Sequence, residues 1–144
     1  MSKEILSALV QLFAIFAKQD DGVSEGERNL VKAYLKQMLN KEEADFFLKE
    51  FDRFADINKN THERRKSLVS DSTKTLRICS QINRELTHVQ KIIVTFNLLE
   101  MIAAGGTSIT AAESDFIETA VDIFNISKDE FQFLKTFILS NKLY

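Results

Sequence analysis

The sequence predicts an all-α fold, a single bundle of about seven helices spanning residues 1–144. Three observations predict it. Proline is absent and glycine occurs only four times in 144 residues, too few breakers for the many turns of a β-rich chain of this length. Apolar residues recur at three- and four-residue steps, the period of a helix face. Finally, four Ser or Thr residues are each followed three positions on by Glu or Gln, the signature of a capped helix start: Ser24/Glu27, Thr87/Gln90, Thr110/Glu113 and Ser127/Glu130.

Taken in order, the first helix is expected from about Lys3 to Lys18, with Ile5, Leu6, Leu9, Leu12, Phe13 and Phe16 on one face. Asp20-Asp21-Gly22 ends it, and Ser24 caps a second helix whose buried stripe is Leu30, Val31, Tyr34, Leu35 and Met38. A third begins at Asn40-Lys41-Glu42-Glu43 and turns Phe46, Phe47, Phe51 and Phe54 inward. The polar stretch "DINKNTHERRKSLVSDSTKT" reads as a long connection, from about 56 to 75. Helix four follows over Ser72 to Glu85, with Leu76, Cys79, Ile82 and Leu86 as its apolar side. Thr87 opens a fifth helix with the face Val89, Ile92, Ile93, Phe96, Leu99 and Ile102, which "AAGGTSI" breaks. Two capped helices complete the chain, the last ending near Ser140.

The two halves match at a constant offset of 86 positions. Leu6 pairs with Ile92, Phe13 with Leu99, Phe16 with Ile102, Val23 with Ile109, Glu27 with Glu113 and Val31 with Ile117. Loop, cap and both apolar stripes share that register. It predicts an internal pseudo-twofold helix-loop-helix duplication, repeat 1 over about 3–56 and repeat 2 over about 86–140.

Composition narrows the function classes. With 44% hydrophobic and 28% charged residues, the chain is expected to be soluble and globular. A net charge of −2 argues against a general nucleic-acid binder. Cys79 is the only cysteine, which removes intrachain disulfides and Cys-based zinc sites and fits a reducing, cytoplasmic compartment. No apolar run approaches the ~20 residues of a membrane span. His62 and His88 stand far apart without a ligand pattern, and Cys79 falls on an apolar stripe. Gly105-Gly106 lacks the strand and the lysine of a phosphate loop and reads as a helix stop; Arg64-Arg65-Lys66 reads as a solvated cluster.

The sharpest candidate site is Asp20, Asp21 and Glu27. Carboxylate oxygens suit hard divalent cations such as Ca²⁺ or Mg²⁺, although the EF-hand spacing is absent. The same residues also suit a hinge, since Gly22 permits positive φ and Glu27 has a capping role. The expectation is first a hinge between helices and second a cation seat, with Glu113 as a distant contributor. No nucleophile-base pair, zinc spacing or nucleotide loop is present, so the chain is expected not to be an enzyme.

The segment "AKQDDGVSEGE" after an apolar helix resembles the TerB-like (tellurite-resistance B) family, through Asp21, Gly22, Val23, Ser24 and Glu27. Gly106, Ile109, Thr110 and Glu113 repeat the pattern, followed by "FNISKDEF", similar to the family's closing segment; the second loop lacks the aspartate. The resemblance implies an all-helical fold, a link to stress responses and membrane-associated complexes, and acidic residues near the loops as metal ligands. "LVQLFAIFAKQDDGVSEGERNLVKAYLKQMLN" and "LRICSQINRELTHVQKIIV" look like the N-terminal extension of large bacterial ABC-type ATP-binding proteins, and the ending "LSNKLY" suits a domain of a longer polypeptide. The implied role is a cytoplasmic, non-enzymatic interaction or regulatory module. Its partner is then a protein, either other domains of a longer chain or a membrane-associated complex reached through a fused module. The alternative is a stand-alone cation-binding stress-response protein.

Overall fold

Apolar residues cover most of the circumference of the first helix, α1 (Lys3–Ala17), and most of the other helices pack on it in this computed structural model. Residues 1–17, 23–59, 64–105 and 111–142 are described, with side chains over 1–17, 23–55, 73–104, 111 and 113–138. They form α1, α2 (Glu25–Met38), α3 (Lys41–Lys59), α4 (Arg64–Glu85), α5 (His88–Gly105), α6 (Ala111–Ile123) and α7 (Lys128–Lys142). Among the described residues there is no strand.

From Ile5 to Ala17 only Ser7 and Gln11 are polar, and the expected single buried face of α1 is instead burial on every side. A helix apolar all round is stable only when other elements cover it. Here α3 and α4 pack most extensively on α1, and α2 and α5 also touch it. Phe13 meets Tyr34 of α2 edge to face at 5.4 Å, and Phe16 meets Phe116 of α6 in the same manner at 5.1 Å. Beyond this centre, α2 packs against α3 and α5, α6 against α4 and α5, and α7 against α5.

The helix starts follow the capping chemistry. Ser24 Oγ accepts from the Glu27 N–H at 3.1 Å while Glu27 Oε1 accepts from the Ser24 N–H at 2.9 Å. Thr87/Gln90 and Ser127/Glu130 close the same reciprocal pairs, and Asn40 Oδ1 accepts from the Glu43 N–H at the start of α3. The Thr110/Glu113 pair lies partly outside the described residues. α6 starts at Ala111, 86 positions after α2 at Glu25, and α7 at Lys128, 87 after α3 at Lys41.

Several expectations are corrected. Helix four begins at Arg64, eight residues before Ser72, and α3 runs on to Lys59, so most of the stretch read as a connection is helical. With neither Pro nor Gly between 56 and 75, that stretch carries no strong helix breaker. Phe46 is 57% exposed, since α3 buries Ala44, Phe47, Leu48 and Phe51 instead. On α4, Leu76 lies outside and Ile78 inside, alongside Cys79 and Ile82. Val89 and Ile93 of α5 are exposed at 67% and 46%; the helix turns Val94, Leu98, Leu99, Met101 and Ile102 to the core. An apolar run such as Ile92-Ile93-Val94 fits several faces, and tertiary packing selects among them.

The α6–α7 turn sets the place of the last helix. Asn125 adopts φ 58°, its N–H donates to the Asp122 carbonyl at 3.2 Å, and the Ile126 N–H donates to the Val121 carbonyl at 3.1 Å. This is a Schellman ending, with Ile126 buried behind the turn.

Candidate functional site

Of the three residues expected to seat a cation, Asp20 and Asp21 lie outside the described residues. Glu27 is buried, in the first turn of α2, and its Oε1 serves the capping box. Glu113, the residue 86 positions on, is likewise buried in the first turn of α6. Among the described residues no group of three or more His, Cys, Asp or Glu side chains is placed to hold a metal ion.

Of the other candidates from the sequence, His62 lies outside the described residues. Cys79 is fully buried between α1 and its neighbours, and burial pushes its thiol up to about 12, which leaves it protonated and inert. His88 Nε2 lies 2.8 Å from Glu130 Oε2, across the start of the α5–α7 interface. With a Ser127 N–H also donated to it, this carboxylate is held at about 2, the His88 hydrogen bond being the larger cause.

A groove that sequence reasoning missed lies between α2, α5 and α7. It is open to solvent, with a volume of about 450 Å³. Gly26, Asn29 and Leu30 line it from α2, Phe96, Glu100, Ala103 and Ala104 from α5, and Ile138 from α7. A Cβ built at Gly26 would stand 3.6 Å from the Ala104 Cβ, so small residues draw the start of α2 close to the end of α5 and floor this end of the groove. Glu100 is the one charged lining residue among those described, and partial burial raises its carboxyl above the ordinary value.

The groove continues into an exposed apolar seam. His88 meets Glu130, and eight residues along α5 Phe96 meets Phe137, seven along α7, with ring centroids 6.1 Å apart. Both helices advance in the same direction between these two contacts and therefore run parallel. Val89 and Ile93 stand seven and three residues before Phe96, on its side of α5, and Phe133 stands four before Phe137 on α7; all four flanking side chains, Val89, Ile93, Phe133 and Phe137, are exposed. Each pair is spaced by four residues, one helical turn, which aligns it along its helix. Phe133 is the most exposed large apolar residue described, at 70%. The available signal was the surplus of apolar residues on α5 and α7, more than one buried face requires.

Among the described residues no helix is long and apolar enough to cross a membrane. Neither a curated protein nor a solved structure matches the chain. The family model described as tellurite resistance protein TerB matches residues 6–136, nearly the whole sequence and all seven helices in whole or large part. The chain belongs to the TerB tellurite-resistance family.

Proposed function

We propose that this TerB-family chain is a non-enzymatic interaction module that docks a partner protein along the α5–α7 seam and the groove that continues it. The observation that carries this reading is the row of Val89, Ile93, Phe133 and Phe137, large apolar side chains 46% or more exposed on one edge, whereas the other exposed large apolar residues described, Met1, Phe46 and Leu76, belong to three separate parts of the chain. Grouped exposure of this kind marks an interaction surface, whereas single exposed apolar residues do not. In this reading the chain works in the cytoplasm, as the N-terminal part of an ABC-type ATP-binding protein. Support for that setting is the likeness of "LRICSQINRELTHVQKIIV" and the α1–α2 segment to such extensions. The scaffold is then two copies of one helical unit, supported by the matching starts of α2 and α6 and by the paired burial of Glu27 and Glu113.

Site-specific photo-crosslinking in the source cells tests it. A photoreactive residue at Val89 or Phe133 should yield one dominant protein adduct, and at exposed Glu42 or Glu118, away from the seam, none. Adducts spread evenly over all four positions would refute the reading.

The alternative, a stand-alone cation-binding stress-response protein using Asp20, Asp21 and Glu27, draws support from the burial of Glu27, six residues after Asp21 in the sequence. It predicts a rise in melting temperature with millimolar Ca²⁺ or Mg²⁺ that Asp21→Asn removes, because a ligand bound only by the folded state stabilises it by mass action. An unchanged melting curve would end it.

A further inference from the structure

We infer that the occupant of the seam and groove is an amphipathic α-helix of a partner protein, carrying a row of apolar residues flanked by a lysine or arginine that pairs with Glu100. This rests on the interaction reading above and names the chemistry of the partner.

The shape selects a helix. An extended segment docks by adding to an open sheet edge, and the described residues contain no strand. Two parallel helices instead present ridges with a furrow between them, which receives the side-chain row of a third helix. The ridges here are Val89 and Ile93 on one side and Phe133 and Phe137 on the other. From Val89 to Glu100 the row covers eleven positions, or about 16 Å at the helical rise, so the matching partner segment is about three turns long. At its far end the small residues Gly26, Ala103 and Ala104 leave room for one bulky anchor, over a volume of about 450 Å³.

Charge selects the partner class. Among the described residues Glu100 is the only charged one of the groove lining, and no described cation pairs with it. A carboxylate partly withdrawn from water gains most from an incoming cation. A second copy of this chain would present the same face, which has no lysine or arginine among the described residues of its groove lining. An anionic membrane would meet Glu100 with like charge and find no basic cluster among the described residues of the groove to hold it. A cationic amphipathic helix satisfies both the apolar ridges and the acid.

The test uses the whole chain and three labelled helical peptides of about four turns. All have leucines at i, i+3, i+4 and i+7; the flanking position carries Lys in the first, Glu in the second, and the leucines of the Lys peptide are replaced by Gln in the third. Fluorescence anisotropy should show saturable binding of the Lys peptide, about tenfold weaker binding of the Glu peptide, and none of the Gln peptide. Glu100→Gln should erase the difference between the Lys and Glu peptides. Ile93→Ser and Phe133→Ser should each weaken binding about tenfold or more with an unchanged circular-dichroism melt, which separates a docking loss from misfolding. Equal affinity for the Lys and Glu peptides overturns the charge assignment. Binding indifferent to both Ser substitutions overturns the site. Binding to phosphatidylserine vesicles that Phe133→Ser abolishes, or a concentration-dependent dimer that it dissolves, each overturns the choice of occupant. If no peptide binds while photo-crosslinks at Val89 and Phe133 still name one protein, the helical partner is refuted and the interaction reading stands. If the crosslinks also scatter, both fall.

Discussion

Asn125 shows how one residue decides where the last helix goes. Its φ of 58° lies in the left-handed region, which costs an ordinary L-residue roughly 1 kcal/mol or more and which asparagine tolerates better than most. The two backbone hydrogen bonds to Asp122 and Val121 hold it there, and they aim α7 back along α5. Asn125→Gly should raise unfolding free energy by up to about 1 kcal/mol, because glycine carries no Cβ penalty in this conformation. Asn125→Val, β-branched and strained at positive φ, should lower it by about 1–2 kcal/mol. Urea titrations of the two variants give the sign directly, and equal midpoints would mean that the turn relaxes out of the left-handed region. By contrast, the Arg28–Asp52 pair joins α2 to α3 through two hydrogen bonds, with N–O distances of 3.0 and 2.9 Å, yet both side chains are more than a third exposed. Water screens such a pair, and its contribution stays below about 1 kcal/mol.

At the scale of helices, the α5–α7 pairing couples a titratable contact to the exposed seam. Hydrogen bonding from His88, and secondarily from the Ser127 N–H, lowers the Glu130 carboxyl from its ordinary 4.5 to about 2. A carboxylate whose folded value is depressed stabilises the folded state above its unfolded value and loses that contribution as protons are added. The contribution is therefore present above pH about 4.5 and fades as the pH falls towards about 2. Melting temperatures across that window should fall less steeply for Glu130→Gln than for the parent chain; parallel curves would show that the contact does not couple to folding. Element identity was largely legible in the sequence because caps are local chemistry: Ser24/Glu27, Thr87/Gln90 and Ser127/Glu130 mark true helix starts. Face selection was not legible on α5, where Ile92, Ile93 and Val94 leave the period ambiguous and only neighbouring helices choose which is buried. The early start of α4 at Arg64 escaped notice because a polar segment without Pro or Gly lacks either a hydrophobic stripe or a stop. Of the expected acidic site, Glu27 could be read as a cap, but its burial depends on how α2 meets the rest of the bundle.

For the whole molecule, the division between core and seam is the physical premise of the functional reading, and stability measurements test it independently of any partner. Leu9 sits on the central helix with 0% exposure, so Leu9→Ala removes buried methyl groups and leaves a cavity among α1 and its neighbours. A cost of about 2–5 kcal/mol follows, as for other buried leucines. Ile93 already keeps nearly half its surface in water, at 46% exposure, and Phe133 keeps 70%. If these side chains serve a partner and not the fold, Ile93→Ser and Phe133→Ser should change unfolding free energy by no more than about 0.5 kcal/mol each, the range of surface substitutions. The double variant should lose the simple sum unless the two rows touch, since independent sites add. Chemical denaturation of the four proteins decides the matter. A loss at Ile93 or Phe133 approaching that at Leu9 would make the seam part of the folding core, and its exposure would then need a structural explanation in place of a docking one.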